Sequence, residues 1–271
     1  MWRRNIPVLI FSFALTTIFI AGCSSNSLNE FQGYVEGEYV YVASPIGGAL
    51  TNLAVGRGEE VKTGQLLFEL ERGSEAAALD EAKKNLSRAE ANLVLSEAAF
   101  TRRVQLRKDQ GVISAEELDQ ARAQRDADQA QVESQTAALD KAQWSFDQKQ
   151  QFSPTNAFVH DTLYRQGEWV AAGNPVVELL PPGNLKVRFF VPQSVLPQIK
   201  PGQKAIVTFD GGGRAYSATV NYISTQAEFT PPVIYSRENR AKLVYMIEAK
   251  FSLVDAADLR PGQPVDVHIN P

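Results

Sequence analysis

Between Ser74 and Gln151 the apolar positions recur at helical spacing. Leu79, Ala82, Leu86, Ala89, Leu93 and Phe100 follow one another at three, four, three, four and seven residues. Beyond Gly111 the same register continues through Leu118, Ala121, Val132, Leu139, Ala142 and Phe146. Such a repeat is a heptad seam. Alanine, glutamine, glutamate and arginine fill most other positions, and all are good helix formers. The stretch has no proline, and its one glycine, Gly111, sits near the middle. Gly111 can take the left-handed conformation that ends a helix. Ser114, with Glu117 three residues on, is a capping box that starts the next. The pattern predicts two antiparallel helices of roughly 36 residues, each about 55 Å long. This hairpin is too long and thin to enclose a globular core; its shape suits reaching a partner.

The segments flanking the hairpin repeat one another. Gly58-Glu59-Glu60-Val61-Lys62-Thr63-Gly64-Gln65-Leu66-Leu67-Phe68-Glu69-Leu70 matches the run from Gly167 to Leu179 at a constant offset of 109 residues. Ser44-Pro45 matches Ser153-Pro154 at the same offset. This is an internal repeat. Each copy alternates short apolar strands with glycine turns, and neither is long enough to bury a core alone. Together they predict one small β-domain split by the hairpin. Phe31 to Val42 reads as one extended run ahead of it.

Downstream, Leu180-Pro181-Pro182-Gly183 ends the repeat. Strands are predicted over Leu185–Val191, Ala205–Phe209, Ala215–Ile223, Val244–Leu253 and the end of Leu259–Ile269, with a short helix at Gln193–Ile199. Several short strands with regular turns indicate a small barrel or sandwich.

The amino terminus reads as a targeting segment. Arg3 and Arg4 precede an apolar run from Ile6 to Ile20, which ends in Ile20-Ala21-Gly22-Cys23. This resembles a bacterial lipobox, in which Cys23 is lipidated and becomes the mature terminus. An uncleaved membrane anchor is the alternative, although the run is at the short end for a span. Cys23 is the only cysteine, so no internal disulfide exists, and acylation would tether the chain to a membrane face. Net charge is −4, with a pI near 5.4, and no basic patch marks a nucleic-acid binder.

The order of these parts resembles the membrane fusion protein family, the HlyD-like periplasmic adaptors of efflux pumps and secretion systems. The half-repeats resemble split biotinyl/lipoyl domains. Val187-Arg188-Phe189-Phe190-Val191-Pro192, Lys200-Pro201-Gly202-Gln203 and Leu259-Arg260-Pro261-Gly262-Gln263-Pro264-Val265 resemble the family's β-barrel. Ser224-Thr225-Gln226-Ala227-Glu228-Phe229-Thr230-Pro231-Pro232 with Leu243-Val244-Tyr245 resembles adaptors of ABC-type exporters. The resemblance implies an elongated α+β chain. Residues 1–22 are then a lipoprotein signal peptide, and 23–42 an anchored tether with a first strand. A lipoyl-like domain covers 43–73 plus 152–183, the hairpin 74–151, and a β-barrel domain 184–271. The family's fourth, membrane-proximal domain is expected to be absent or reduced.

By the same resemblance the chain is a homo-oligomeric ring, commonly of six, linking an inner-membrane transporter to a TolC-like outer-membrane channel. Arg103, Leu106, Arg107, Gly111 and Ser114 at the hairpin tip are the expected partner-binding residues. One departure stands out. Such tips often carry arginine, leucine four residues on and serine seven further; here Arg107 holds the middle position and the leucine is Leu106. The expected location is the periplasm, anchored at the inner membrane, although Ser24 after the cysteine favours outer-membrane sorting in enteric bacteria. A structural envelope lipoprotein that binds through its coiled coil is the alternative function.

Other readings fail on the residues. A lipoyl or biotin carrier needs a modified lysine in the turn joining its halves, and the hairpin replaces that turn. Asp210 with Gly211, Gly212 and Gly213 lacks the lysine-serine of a phosphate loop. His160 and His268 are isolated, which speaks against a metal site. Glu59, Glu69, Glu168 and Glu178 recur with the repeat, as structural residues do. No nucleophile, base and orienter stand at an interpretable spacing, so neither enzyme activity nor a cofactor is expected.

Overall fold

The computed structural model describes residues 30–209, 213–229, 243–256 and 258–269. In chain order, β1 (Glu30–Gly37) precedes β2 (Val40–Ala43), β3 (Gly48–Leu53), β4 (Glu60–Val61) and β5 (Leu66–Leu70). Helices α1 (Gly73–Gln110) and α2 (Ala115–Asp147) follow. Next come β6 (Gln150–Phe152), β7 (Ala157–Thr162), β8 (Trp169–Val170) and β9 (Pro175–Leu180). The chain continues through β10 (Leu185–Pro192), β11 (Lys204–Thr208), β12 (Tyr216–Phe229), β13 (Leu243–Phe251), the short α3 (Leu253–Ala256) and β14 (Pro264–Ile269). The described residues divide into two compact units, Gly37–Leu185 and those on either side of it.

The repeat is visible residue by residue in the first unit. Shifted by its offset, β3 falls on β7 and β4 on β8. The core pairs likewise: Leu50 with Val159, Val61 with Val170, Leu67 with Val176, Phe68 with Val177 and Leu70 with Leu179, all buried. The halves are interlocked rather than adjacent. Strands order as β2-β9-β7-β4 and β6-β5-β3-β8, so each sheet mixes both halves. Gly58 N–H donates to Val159 O and Gly167 N–H to Leu50 O, both at 2.8 Å. Gly64 N–H donates to Ser153 O and Gly173 N–H to Ser44 O, again at 2.8 Å. All four glycines have positive φ, between 79° and 93°, a region closed to most side chains. Ser44 and Ser153 are both buried, and their hydroxyls donate to Ile46 O (2.8 Å) and Thr155 O (2.6 Å). Each half thus supplies the other's hydrogen-bond partners, as expected of segments too short to fold alone.

The hairpin is rooted in this unit by polar bonds. Lys149 is 2% exposed; its Nζ donates to Gly47 O (2.8 Å) and pairs with Glu75 at 3.1 Å. Gln148 O lies 2.8 Å from Ser44 Oγ and shares its one proton with Ile46 O, and Arg72 lies over the Phe146 ring at 4.8 Å. The second helix ends at Asp147, earlier than the periodicity predicts. Gln150 and Phe152 pair instead with Glu69 and Leu66, so strand pairing takes over from the helix.

The two helices bury Leu79, Ala82, Ala89 and Ser96 on α1 and Ala121 on α2, with Leu86, Leu93, Phe100, Leu118, Val132 and Leu139 half-buried along the same line. Polar residues also occupy the seam. Ser96 Oγ donates to Leu93 O (3.0 Å), and Arg125 lies over the Phe100 ring at 4.8 Å. Cation–π contact of this kind lets a guanidinium replace an apolar seam residue.

In the second unit six strands close into a barrel in the order β1-β10-β13-β12-β11-β14. Its interior holds Phe31, Val187, Phe189, Val207, Ile247 and Val267. The extended run of Phe31–Val42 is therefore two strands, with β1 completing the barrel. Gly33 permits that closure: a Cβ there would stand 2.4 Å from Arg188 O and 2.7 Å from Phe189 Cβ. Lys186 and Arg188 alternate with Glu36 and Glu248 in a four-charge cluster, with distances of 2.8 to 3.7 Å. Burial pushes the Glu248 carboxyl up, but the Lys186 and Arg188 bonds outweigh it and hold it below the usual glutamate value. Two local expectations differ. Gln193–Ile199 contains only a 3-10 turn at Leu196–Gln198, because Pro197 and the short span to Pro201 leave no room for an α-helix. Strand β13 ends at Phe251, and Leu253 belongs to α3, where Ser252 Oγ accepts from Asp255 N–H as a helix cap does.

Candidate partner surface at the hairpin end

The residues from Thr101 to Val112 are all exposed. Here the seam continues in position but not in chemistry. Arg103 and Arg107 take the seam places after Ser96 and Phe100, and the two helices bury neither. The turn itself is firmly built. Gly111 has φ +66° and donates its N–H to Arg107 O (3.2 Å). Ser114 N–H donates to Glu117 Oε2 (2.9 Å), and Ser114 Oγ accepts from Glu117 N–H (3.1 Å) and donates to Glu117 Oε2 (3.0 Å). The Ser114 backbone bond first, then its hydroxyl, with a smaller push from Arg103, hold the Glu117 carboxyl below its usual value. A glycine stop and a complete capping box fix the end of the hairpin without any tertiary support.

The expected tip residues therefore divide by role. Gly111 and Ser114 make the turn. Arg103 and Arg107 project charge beside it, and Leu106 is 40% exposed on the flank. The structure adds Arg102 and Lys108, which make four cations against one acid, Asp109, in the last nine residues of α1. It also adds Val112, 66% exposed between the glycine stop and the cap. Apolar periodicity has no place for Val112, and its signal is that a large apolar side chain stands in a turn. Cations near a helix C-terminus are favoured by its dipole. Arginine forks beside exposed apolar side chains also suit protein contact. Cys23 and Ser24 lie outside the described residues.

Elsewhere His160 stacks on Tyr39 at 4.4 Å and His268 lies 3.8 Å from Glu30. Among the described residues no group of three metal-ligating side chains gathers, and no helix is long and apolar enough to cross a membrane.

Residues 78–149 match the family model described as "RND MFP, alpha-helical hairpin domain". Among curated proteins, a UPF0194 membrane protein of Acidithiobacillus ferridurans is 33% identical over 119 residues, which covers 44% of this chain and 35% of that protein. A UPF0194 membrane protein of Enterobacter sp. is 28% identical over 278 residues and 83% of each. The fold is similar to that of MacA from Actinobacillus actinomycetemcomitans, with TM-score 0.71 at 18% identity, over 89% of this chain and 79% of that one. It is also similar to the membrane fusion protein Spr0693 of Streptococcus pneumoniae, with TM-score 0.67 at 20% identity, over 89% and 98%.

Proposed function

We propose that this chain, a membrane fusion protein in its hairpin and its fold, is a periplasmic adaptor. In this reading it links an inner-membrane exporter to an outer-membrane channel for the outflow of small molecules. The observation that carries the reading is the hairpin end: rigidly turned, rooted by a buried ion pair, and bearing four arginine and lysine side chains that internal packing does not bury. A structure of this kind does no chemistry of its own; it positions and seals. The exporter supplies the energy, and the barrel sequence favours an ABC-type partner. The tip meets a TolC-like channel, copies stand side by side in a ring of six, and an acyl chain on Cys23 holds the assembly at the inner membrane.

In-cell photocrosslinking tests this, with probes at Ser114 on the tip and at Val254, 77% exposed on the barrel unit. An outer-membrane channel captured at Ser114 and an exporter at Val254 is the expected result. Envelope structural proteins at both sites would replace the adaptor with a scaffold. An RND-type exporter at Val254 would change the transporter class alone.

A further inference from the structure

The barrel unit contains a second internal repeat. Lys200-Pro201-Gly202-Gln203 and Arg260-Pro261-Gly262-Gln263 stand at an offset of 60 residues. Gly202 and Gly262 have φ of 88° and 84°, and their N–H groups donate to Val220 O (2.7 Å) and Val35 O (2.8 Å). The Gln203 and Gln263 side chains accept from Lys200 N–H and Arg260 N–H at 3.1 and 2.9 Å. Buried residues pair at the same offset: Val187 with Ile247, Phe189 with Ala249, Ile199 with Leu259, Ala205 with Val265 and Val207 with Val267. The repeat separates what the barrel needs from what it does not. On the outer face, Lys204 and Ile206 of β11 correspond to Pro264 and Asp266 of β14. One half folds without this cation and apolar side chain, so folding does not demand them of the other.

Lys204 and Ile206 line an open groove of about 530 Å³ with Ala215, Tyr216, Ser217 and His268, a volume in the range of small-ligand sites. Ser217, Ile206, His268 and Glu30 stand opposite one another in register across β12, β11, β14 and β1. Lys204, Thr219 and Lys250 form the neighbouring row. Among the described residues no carboxylate lines the groove, although the chain's net charge is −4. Lys204 is exposed and pairs with no carboxylate among the described residues. Glu30, next in the row, lies 3.8 Å from His268. Ile206 is 45% exposed.

The ligand these groups fit is a phosphate on an apolar body. An ammonium, an imidazole and two hydroxyls can each donate to its oxygens, and Ile206 and Ala215 leave one wall apolar. Strand addition by an acidic peptide would need a free strand edge, and the closed barrel offers none. Location narrows the source. Glu30 is seven residues from Cys23, a reach of about 25 Å at most. The groove lies within about two strand spacings of Glu30, roughly 10 Å. We propose that the groove binds the phosphate headgroup of an anionic phospholipid in the leaflet that holds Cys23. This rests on the acyl anchor of the adaptor reading. The anchor keeps headgroups at high local concentration, so a contact worth roughly fivefold per lysine is enough to orient the barrel on the leaflet.

Photocrosslinking of the full lipidated chain tests the contact, in vesicles of phosphatidylethanolamine with and without phosphatidylglycerol. A photoreactive residue stands in place of Ile206, and mass spectrometry reads the adduct. The expected result is a phosphatidylglycerol adduct at this position, several-fold weaker at raised salt, and none from a probe in place of Val112 on the hairpin tip. Lys204→Glu should abolish the adduct and Lys204→Arg keep it, which separates lost charge from a poorly folded barrel. An adduct that survives Lys204→Glu overturns the proposal. So does an adduct as abundant with phosphatidylethanolamine, no lipid adduct at all, or, in native membranes, an adduct only to protein. Loss of the adduct to millimolar inorganic phosphate would make free phosphate the ligand and overturn it too. Lipid adducts without a captured channel or exporter keep this contact and remove the adaptor reading; captured partners without lipid adducts do the reverse.

Discussion

Lys149 is a buried cation at the root of the hairpin, bonded to Gly47 O and paired with Glu75. Its side chain is 3% exposed, that of Glu75 is 16%, and their charges are 3.1 Å apart. At an effective dielectric near 20 such a pair attracts by about 5 kcal/mol, and burial of both ions offsets much of that. Lys149→Met removes one ion and leaves the Glu75 carboxylate and Gly47 O without their partner. Breaking a buried pair from one side costs about 3–5 kcal/mol, and the partial exposure of Glu75 points to the lower end. The assay is urea unfolding followed by helix circular dichroism, since among the described residues nearly all helix lies in α1 and α2. With a slope of about 2 kcal/mol per molar urea, the midpoint should fall by roughly 1.5 M. Adding Glu75→Leu should recover most of that loss, because an apolar pair needs no counter-charge. The pH dependence has a definite sign. Burial pushes the Glu75 carboxyl up, but bonds from Ser74, Lys149 and its own backbone outweigh it and hold it below its usual value. A depressed carboxyl stabilises the fold fully above its unfolded value and loses that contribution as pH falls through the folded one. The deficit of Lys149→Met should therefore be full at pH 7 and shrink as the buffer is taken below about 4.5. A loss under about 1 kcal/mol at pH 7, or one that does not shrink on acidification, would refute the argument.

The remaining predictions concern backbone and tip. Gly58→Ala and Gly167→Ala should each cost about 1–2 kcal/mol through left-handed strain alone, since nothing lies within 4 Å of either added Cβ; matched urea midpoints check the equivalence. Gly33→Ala should cost more than about 3 kcal/mol, because β1 must lift from Arg188 and Phe189, and limited proteolysis should then cut within Glu30–Gly37. Ser114→Ala should lose about 1 kcal/mol of helix capping, seen as faster hydrogen exchange at the start of α2. Paired Arg103→Glu and Arg107→Glu should cost only about 1–2 kcal/mol, from reversed charge at the end of α1, yet abolish tip crosslinks.

Helix, repeat and turn were legible because each has a local signature. The seam of Leu79 through Phe146 and the offset that maps Gly58 onto Gly167 need only a pattern along the chain. What escaped depends on partners far away in sequence. The seam roles of Ser96 and Arg125 are invisible to an apolar template, since one satisfies its hydroxyl on Leu93 O and the other stacks on Phe100. The place of β1 follows from Gly33 meeting Phe189 and pairing with Val265, contacts that no short window contains. At the tip, the positions of Gly111 and Ser114 in the turn were legible from the sequence, while the exposure of Val112 emerged only from the structure.

The interlocking of the two half-repeats also sets the order in which this chain can fold. Until β6 to β9 exist, Gly58 and Gly64 have no acceptors and Leu50 and Phe68 no complete core. Bringing the second half back across the span from Arg72 to Gln148 as a loose loop would cost about 4 kcal/mol of closure entropy, before any constant term. A hairpin that zips from Gly111 downward would remove that obstacle, each turn shortening the open loop that remains. When the zipper reaches Arg72 and Phe146, Lys149 arrives at Glu75 and Gly47, and the two halves stand in register to close. The coiled coil that reaches outward in the finished protein is thus also the device that returns the chain to its own beginning.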